Sequence, residues 1–218
     1  MNNNIRIDYL HDHIDYKVAQ HKDMYHFNTD TCLLGEFIKI KENEDVLDVG
    51  TNNGALLVYI IKKGGIATGI EINKDALEVC KITLKENNIN ATLINEDFSK
   101  WQSEKLFDVI VSNPPYFDSK EEKQKSNNQH KRLARHEGTL NLKSLCLALK
   151  NNLKETGRIY LVYRPNRFNE LEKEFNNVGL YVNNYQLVYD KRKIEAKSVL
   201  IEISFENKEK IKLEDKYI

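Results

Sequence analysis

The chain has 218 residues, 40% hydrophobic and 30% charged, enough apolar material for one large domain with a well-solvated surface. Lys plus Arg equals Asp plus Glu at 33 each, so a net charge of about zero excludes a global pull on nucleic acid, and any basic site must be local. The start "MNNNIRIDYL" lacks the basic-then-apolar order of a secretory signal, and "LLVYII" is too short to span a bilayer. Cys32, Cys80 and Cys146 are too scattered for a disulfide framework or a zinc site, which predicts a reducing, cytoplasmic setting and three buried thiols.

Residues 1–44 precede the first predicted strand and are expected to form an extension packing on the core. Their histidines, His11, His13, His21 and His26, lack metal-site spacing and carboxylate company, so no metal is expected. "TCLLGEFIKI" reads as a helix that Asp30 could cap. From residue 45 onward strands and helices alternate, the pattern of a parallel sheet. "DVLDVG" (45–50) is a strand, "ALLVYIIKKG" a helix, "IATGIEI" (66–72) a strand, and "NKDALEVCKITLKENN" a helix opened by Asn73. "ATLINED" (91–97) and "FDVIVSN" (107–113) are the next strands. A polar segment, 118–137, follows and is expected to be a mobile, substrate-facing loop. "LNLKSLCLALKNNLKETG" is a helix ended by Gly157, "RIYLVYR" a strand, and "NRFNELEKEFNNVG" a helix closing at Gly179. "YVNNYQLVY" and "SVLIEISFE" have no helix between them, so an antiparallel hairpin should finish the sheet. The expected fold is α/β and Rossmann-like: seven mostly parallel strands, helices on both faces, an antiparallel C-terminal strand, with 45–218 as the main domain.

Chemistry concentrates at the strand tips. "DVGTNNG" holds Asp48, Gly50, Asn52 and Gly54 between a strand and a helix, where a tight turn must let a ligand touch backbone. Asn52 occupies a position where glycine is usual, and asparagine tolerates positive φ. The spacing is not that of a pyrophosphate-binding dinucleotide loop. One strand later Glu71, beside Ile72, can grip two ribose hydroxyls. At the third tip Asp97 can accept from an adenine amino group while Phe98 packs beside the ring; Trp101 reads as a packing anchor.

The fourth tip, "SNPPYF", ends a strand with Asn113, Pro114, Pro115, Tyr116 and Phe117. A planar exocyclic amine is a poor nucleophile until acceptors take its N–H hydrogens. The Asn113 side-chain oxygen and the Pro114 carbonyl suit that task, and two prolines fix the carbonyl's direction. Tyr116 can stack on a flat target and Phe117 can close the other side. Basic clusters occur at Lys131, Arg132, Arg135 and His136, at Arg164 and Arg167, and at Lys191, Arg192 and Lys193. Converging around Asn113, they would make a phosphate-binding rim.

Together "DVGTNNG", "GIEIN", "NED" and "SNPPYF" resemble the amino-group class of Rossmann-like S-adenosylmethionine-dependent methyltransferases. "RIDYL", "FNTDTCLLGEF", "ARHE", "YRPNRFNEL" and "EAKSVLIE" extend the resemblance to the tRNA adenine-N6 methyltransferases that modify adenosine 37 of a valine tRNA, beside the anticodon. The resemblance implies that Asp48, Gly50 and Gly54 hold the methionine end of S-adenosylmethionine, Glu71 the ribose, Asp97 the adenine, and Asn113–Tyr116 the target amine. It also places Phe27 and Asp30 over the cofactor, with the tRNA anticodon loop as partner; a monomer is expected. A protein glutamine N5-methyltransferase of the release-factor type shares the chemistry but usually carries a larger N-terminal helical domain. A DNA adenine methyltransferase would show a target-recognition domain. A cofactor-binding RNA protein without catalysis would have no need of an intact Asn-Pro-Pro-Tyr.

Overall fold

A computed structural model describes residues 4–10, 13–114 and 142–218. The apolar runs pair as expected. In chain order the elements are β1 (Ile5–Leu10), β2 (His13–His21), α1 (Thr29–Phe37), β3 (Asp45–Val49), α2 (Ala55–Lys62), β4 (Ile66–Ile70), α3 (Lys74–Glu86), β5 (Thr92–Ile94) and β6 (Phe107–Ser112). They continue with α4 (Leu142–Asn152), β7 (Leu153–Tyr163), α5 (Phe168–Asn177), β8 (Tyr181–Tyr189), β9 (Ala196–Ser204), β10 (Ile211–Lys212) and β11 (Lys216–Tyr217). The main sheet runs β8-β9-β7-β6-β3-β4-β5, with only β9 antiparallel among these seven. The two-residue strands β10 and β11 add to β8.

Successive strand residues serve opposite faces. Val46, Val109 and Val162 join Leu34, Leu57 and Tyr59 in one core layer. Leu47, Ile110 and Leu161 join Leu149, Phe175 and Ile201 in the other. Both layers are needed because the central strands are apolar without alternation.

Three local features depart from the sequence reading. The histidine-bearing N-terminal stretch contains the hairpin β1–β2, and β2 lies against α3. The Ala19 N–H donates to Thr83 Oγ1 at 3.0 Å, and Asn87 both accepts from the Lys17 N–H and donates to its carbonyl. Helix α4 stops at Asn152 rather than Gly157, because Leu153 leaves the helix to pair with Phe107 in the sheet. Gly157 serves packing instead: a Cβ there would lie 2.7 Å from Leu153 Cδ1. Finally, α1 is capped by Asn28, whose side chain accepts from the Thr31 N–H, and not by Asp30.

Helix α1 approaches α2 closely at Gly35, where a Cβ would fall 2.2 Å from the Tyr59 ring. Gly35→Ala is therefore expected to destabilise the fold by about 1–3 kcal/mol through overpacking, although alanine is the better helix former. Thermal unfolding checks it; a raised melting temperature would contradict the close fit.

Candidate functional site

Four parallel strands end on one row. Ile94 pairs with Ile70, Ile70 with Val49, and Val49 with Ser112. The next residues, Asn95, Glu71, Gly50 and Asn113, thus line one sheet edge, with Glu71 and Asn113 two strand spacings or about 10 Å apart.

The loop after β3 curls over the end of β4. The N–H groups of Gly50 and Thr51 both donate to the Ile70 carbonyl, at 2.9 and 3.1 Å. Gly50 (φ +74°), Asn52 (φ +49°) and Gly54 (φ +81°) are all left-handed, so the residue standing for the usual glycine adopts the glycine conformation. A Cβ on Gly50 would meet nothing within 4 Å, which leaves its backbone open to a ligand. A Cβ on Gly54 would meet Cys80 Sγ at 2.6 Å. Gly54 also caps α2 without a side-chain bond, leaving first-turn N–H groups for an anion.

Asp48 lies beneath this loop, 1% exposed. Its Oδ2 accepts from Thr51 Oγ1 at 2.6 Å, while Oδ1 has no partner among the described residues. Burial pushes its carboxyl up to about 7, with the Thr51 bond opposing and the nearby Glu71 charge adding. Glu71 Oε2 accepts from the Asn52 N–H at 3.1 Å and Oε1 from the Asn73 N–H at 2.9 Å. Burial raises its carboxyl too, against the pull of those N–H groups. Each Glu71 oxygen keeps a lone pair for a further donor. Ile72, partly buried, follows; Asn95 holds the Glu71 and Ile72 carbonyls through its amide, both at 2.9 Å.

At the third tip Asp97 Oδ1 accepts from both the N–H and the hydroxyl of Ser99, and Oδ2 sits 3.6 Å from Lys100 Nζ. Burial works against the Asp97 charge, but these contacts outweigh it and hold the carboxyl low. Phe98, only 7% exposed, lies mostly in the core, tilted against Trp101, which packs in turn on Phe107.

At the fourth tip Asn113 is partly buried and Pro114 buried. The Asn113 amide donates to Thr31 Oγ1 at 3.0 Å, and Ser112 Oγ donates to the Val49 carbonyl at 2.8 Å. Phe27 packs on the core beside α1. Asp30 is buried, its Oδ1 accepting from Ser198 Oγ at 2.5 Å, which ties α1 to β9.

Strand directions bring Arg164 and Arg167, after β7, and Lys191, Arg192 and Lys193, after β8, to the same edge. The first pair follows the neighbour of β6; the second cluster is three strands away, or about 14 Å. Arg167 is held by Glu170 through two bonds, of 2.9 and 2.8 Å, so its charge is largely compensated. Arg164 and Lys191–Lys193 are exposed. Pro115, Tyr116, Phe117, Lys131, Arg132, Arg135 and His136, like the expected loop 118–137, lie outside the described residues. Among the described residues no three metal-ligating side chains come together, and no helix is long and apolar enough to cross a membrane.

Sequence reasoning missed Thr31 and Asn28. The only signal for them was the capping-box spacing of "NTDT".

Asp48 ties this site to pH. Between its unfolded value near 3.8 and its folded value of about 7, the folded chain holds a proton that the unfolded chain has released. Stability from this group therefore falls as pH rises through that window. Asp48→Asn should flatten the fall and raise the melting temperature near pH 7.5, by roughly 2–4 °C per kcal/mol recovered. Melting curves of both forms from pH 4 to 8 check it; parallel curves would contradict the burial.

The methyltransferase small domain profile matches residues 25–193. A protein of Flavobacteriaceae bacterium (strain 3519-10), named a tRNA1(Val) (adenine(37)-N6)-methyltransferase, is 25% identical over 87% of this chain and 81% of its own. Relatives from other bacteria carry the same name at similar identity. A chain from Methanocaldococcus jannaschii, provisionally named a protein N5-glutamine methyltransferase, is 33% identical over 49% of this chain and 54% of its own. Among solved structures, the ribosomal protein L11 methylase of Lactobacillus delbrueckii subsp. bulgaricus superposes with a TM-score of 0.60 at 16% identity, covering 83% of this chain and 81% of that one. That likeness carries the fold. With the profile spanning well over half of its length, from before α1 to beyond β8, the chain belongs to the methyltransferase small domain family.

Proposed function

We propose that the chain transfers a methyl group from S-adenosylmethionine to the N6 amine of an adenosine in tRNA, adenosine 37 of a valine tRNA. It would act in the cytoplasm as a monomer, without a metal, residues 1–44 being an extension on a 45–218 methyltransferase domain. The observation that carries the reading is the registered row of tips: the Asn113 amide stands on the same edge as the Asp48–Gly54 loop and Glu71.

The residues present fit the cofactor. Asp48 and Glu71 are two neighbouring carboxyls whose ionisation burial opposes, and a cationic ligand relieves that cost. The free lone pairs of Glu71 suit a ribose diol, Asp97 suits an adenine amino group, and the open N-terminus of α2 suits a carboxylate. Gly50, Asn52 and Gly54 let the loop approach the ligand, while Ile72 and Phe98 supply apolar walls and Phe27 and Asp30 sit on the α1 side. S-adenosylmethionine, when bound, supplies an electrophilic methyl on a sulfonium. Asn113 Oδ1 and the Pro114 carbonyl accept the two N–H hydrogens of the target amine and free its lone pair. The methyl would pass from that sulfonium to the amine nitrogen as one amine proton is lost to solvent, a transfer that would ask no strong base of these residues. Pro115 would hold the backbone of the motif, with Tyr116 proposed to stack on the target and Phe117 to close the opposite side.

For the RNA, Arg164 and Lys191–Lys193 are exposed cations on the edge that carries Asn113; Lys131, Arg132, Arg135 and His136 would add phosphate contacts, and Arg167 would do so on exchanging Glu170 for a phosphate. An anticodon-loop adenosine can be splayed out to reach the tip. The Methanocaldococcus relative favours a second reading, glutamine N5 methylation, because a side-chain amide is also planar; its match spans half of each chain, whereas the tRNA-modifying relatives match over most of this one.

The test incubates the protein and labelled S-adenosylmethionine with total tRNA, ribosomal RNA, duplex DNA and release factor, then digests each acceptor to nucleosides or amino acids. Label is expected in N6-methyladenosine from tRNA. Label in glutamine with none in tRNA would replace the leading reading by the second.

A further inference from the structure

We infer that Thr31, outside the motif, sets which way the Asn113 amide faces and is a positioning residue for methyl transfer; this rests on the reading of Asn113 as acceptor for the target amine. The two ends of an asparagine amide are alike in shape and differ only in that one accepts and the other donates. Reversed, Asn113 would turn N–H groups toward an amine that is itself a donor, and the contact would be repulsive. Something in the fold has to distinguish the two orientations.

A short chain of hydrogen bonds does so, because only one polarity satisfies all of it. It begins at the Thr31 backbone N–H, which can only donate, 3.1 Å from the Asn28 side chain. The Asn28 atom facing it must be the oxygen. The Thr31 hydroxyl lies 3.3 Å from that same oxygen, and donating to it is the arrangement that turns this oxygen–oxygen approach into a hydrogen bond. With its one hydrogen committed, Thr31 Oγ1 can only accept, from the Asn28 N–H at 3.5 Å and from Asn113 at 3.0 Å. The Asn113 end facing Thr31 is therefore its NH2 group, and the oxygen is the end left for the target. The polarity originates in a first-turn N–H of α1 that has no acceptor within the helix, the kind of group that helix caps exist to satisfy. The helix is itself anchored, through Asp30 to Ser198 and through Leu33 and Leu34 in the core. A cap on one element thus orients a side chain just past the end of β6, 82 residues away.

Thr31→Val keeps the branched shape and removes the hydroxyl. With the acceptor that takes label from the wild-type enzyme, kcat is expected to fall about tenfold, the loss of one orienting hydrogen bond, while the Kd for S-adenosylmethionine stays within about twofold. Thr31→Ser restores kcat. Wild-type kcat in Thr31→Val, beside an inactive Asn113→Ala, overturns the positioning role and leaves the reading of Asn113 intact. Turnover by Asn113→Ala overturns the reading of Asn113 itself. Equal losses in Thr31→Val and Thr31→Ser point to packing and also overturn the role. Where Thr31→Val does not fold, Asn28 carries the test. Asn28→Ala removes the polarity anchor and should lower kcat several-fold, Asn28→Asp keeps the acceptor and should not, and equal kcat for the two contradicts the inference.

Discussion

The backbone pairings that hold Ile94, Ile70, Val49 and Ser112 side by side give four parallel strands a common last rung. Beyond that rung each chain loses its sheet partner, and its N–H and carbonyl groups need new ones. The Gly50 and Thr51 N–H groups turn back to the Ile70 carbonyl, those of Asn52 and Asn73 reach Glu71, and the Asn113 side chain reaches Thr31. The side chains that make these repairs are the ones a nucleotide-bearing cofactor and a planar amine require. Rigidity of the site therefore comes from the same bonds that close the sheet edge.

The edge stores electrostatic tension. Asp48 on β3 is buried, Glu71 just past the end of β4 is partly buried beside it, and burial raises both carboxyls. Without a cation the arrangement costs stability, as sites shaped for a ligand commonly do. Cys80 illustrates the opposite case. It packs under Gly54, burial pushes its thiol up to about 12, and it acts as a small apolar filler rather than a nucleophile.

How much of this the sequence discloses depends on the range of each interaction. Strands β3, β4, β6 and β7 are legible because they are buried on both faces and appear as continuous apolar runs. The loop is legible because left-handed backbone restricts residue choice to glycine and asparagine, here Gly50, Asn52 and Gly54. The hairpin β1–β2 was hidden by its composition, in which His, Lys, Asp and Gln interrupt the alternation. Strands β10 and β11 are two residues each, too short to carry a pattern, although Tyr217 of β11 stacks on Tyr189 of β8. The end of α4 is not legible locally: Gly157 looks like a helix stop, whereas the event that ends the helix, Leu153 pairing with Phe107, is non-local. Thr31 is illegible for the same reason: nothing within its own helix announces a partner just past the end of β6.

The central claim is that Asn113 acts on the target amine and not on cofactor affinity. Single-turnover methyl transfer by Asn113→Ala, with S-adenosylmethionine binding measured alongside, tests it most directly. The account predicts a Kd close to wild type and a methyl-transfer rate reduced by at least roughly a hundredfold, the scale of losing one preorganised polar contact at the reacting atom. A near-wild-type rate, or a rate loss matched by an equal loss of cofactor binding, would contradict it.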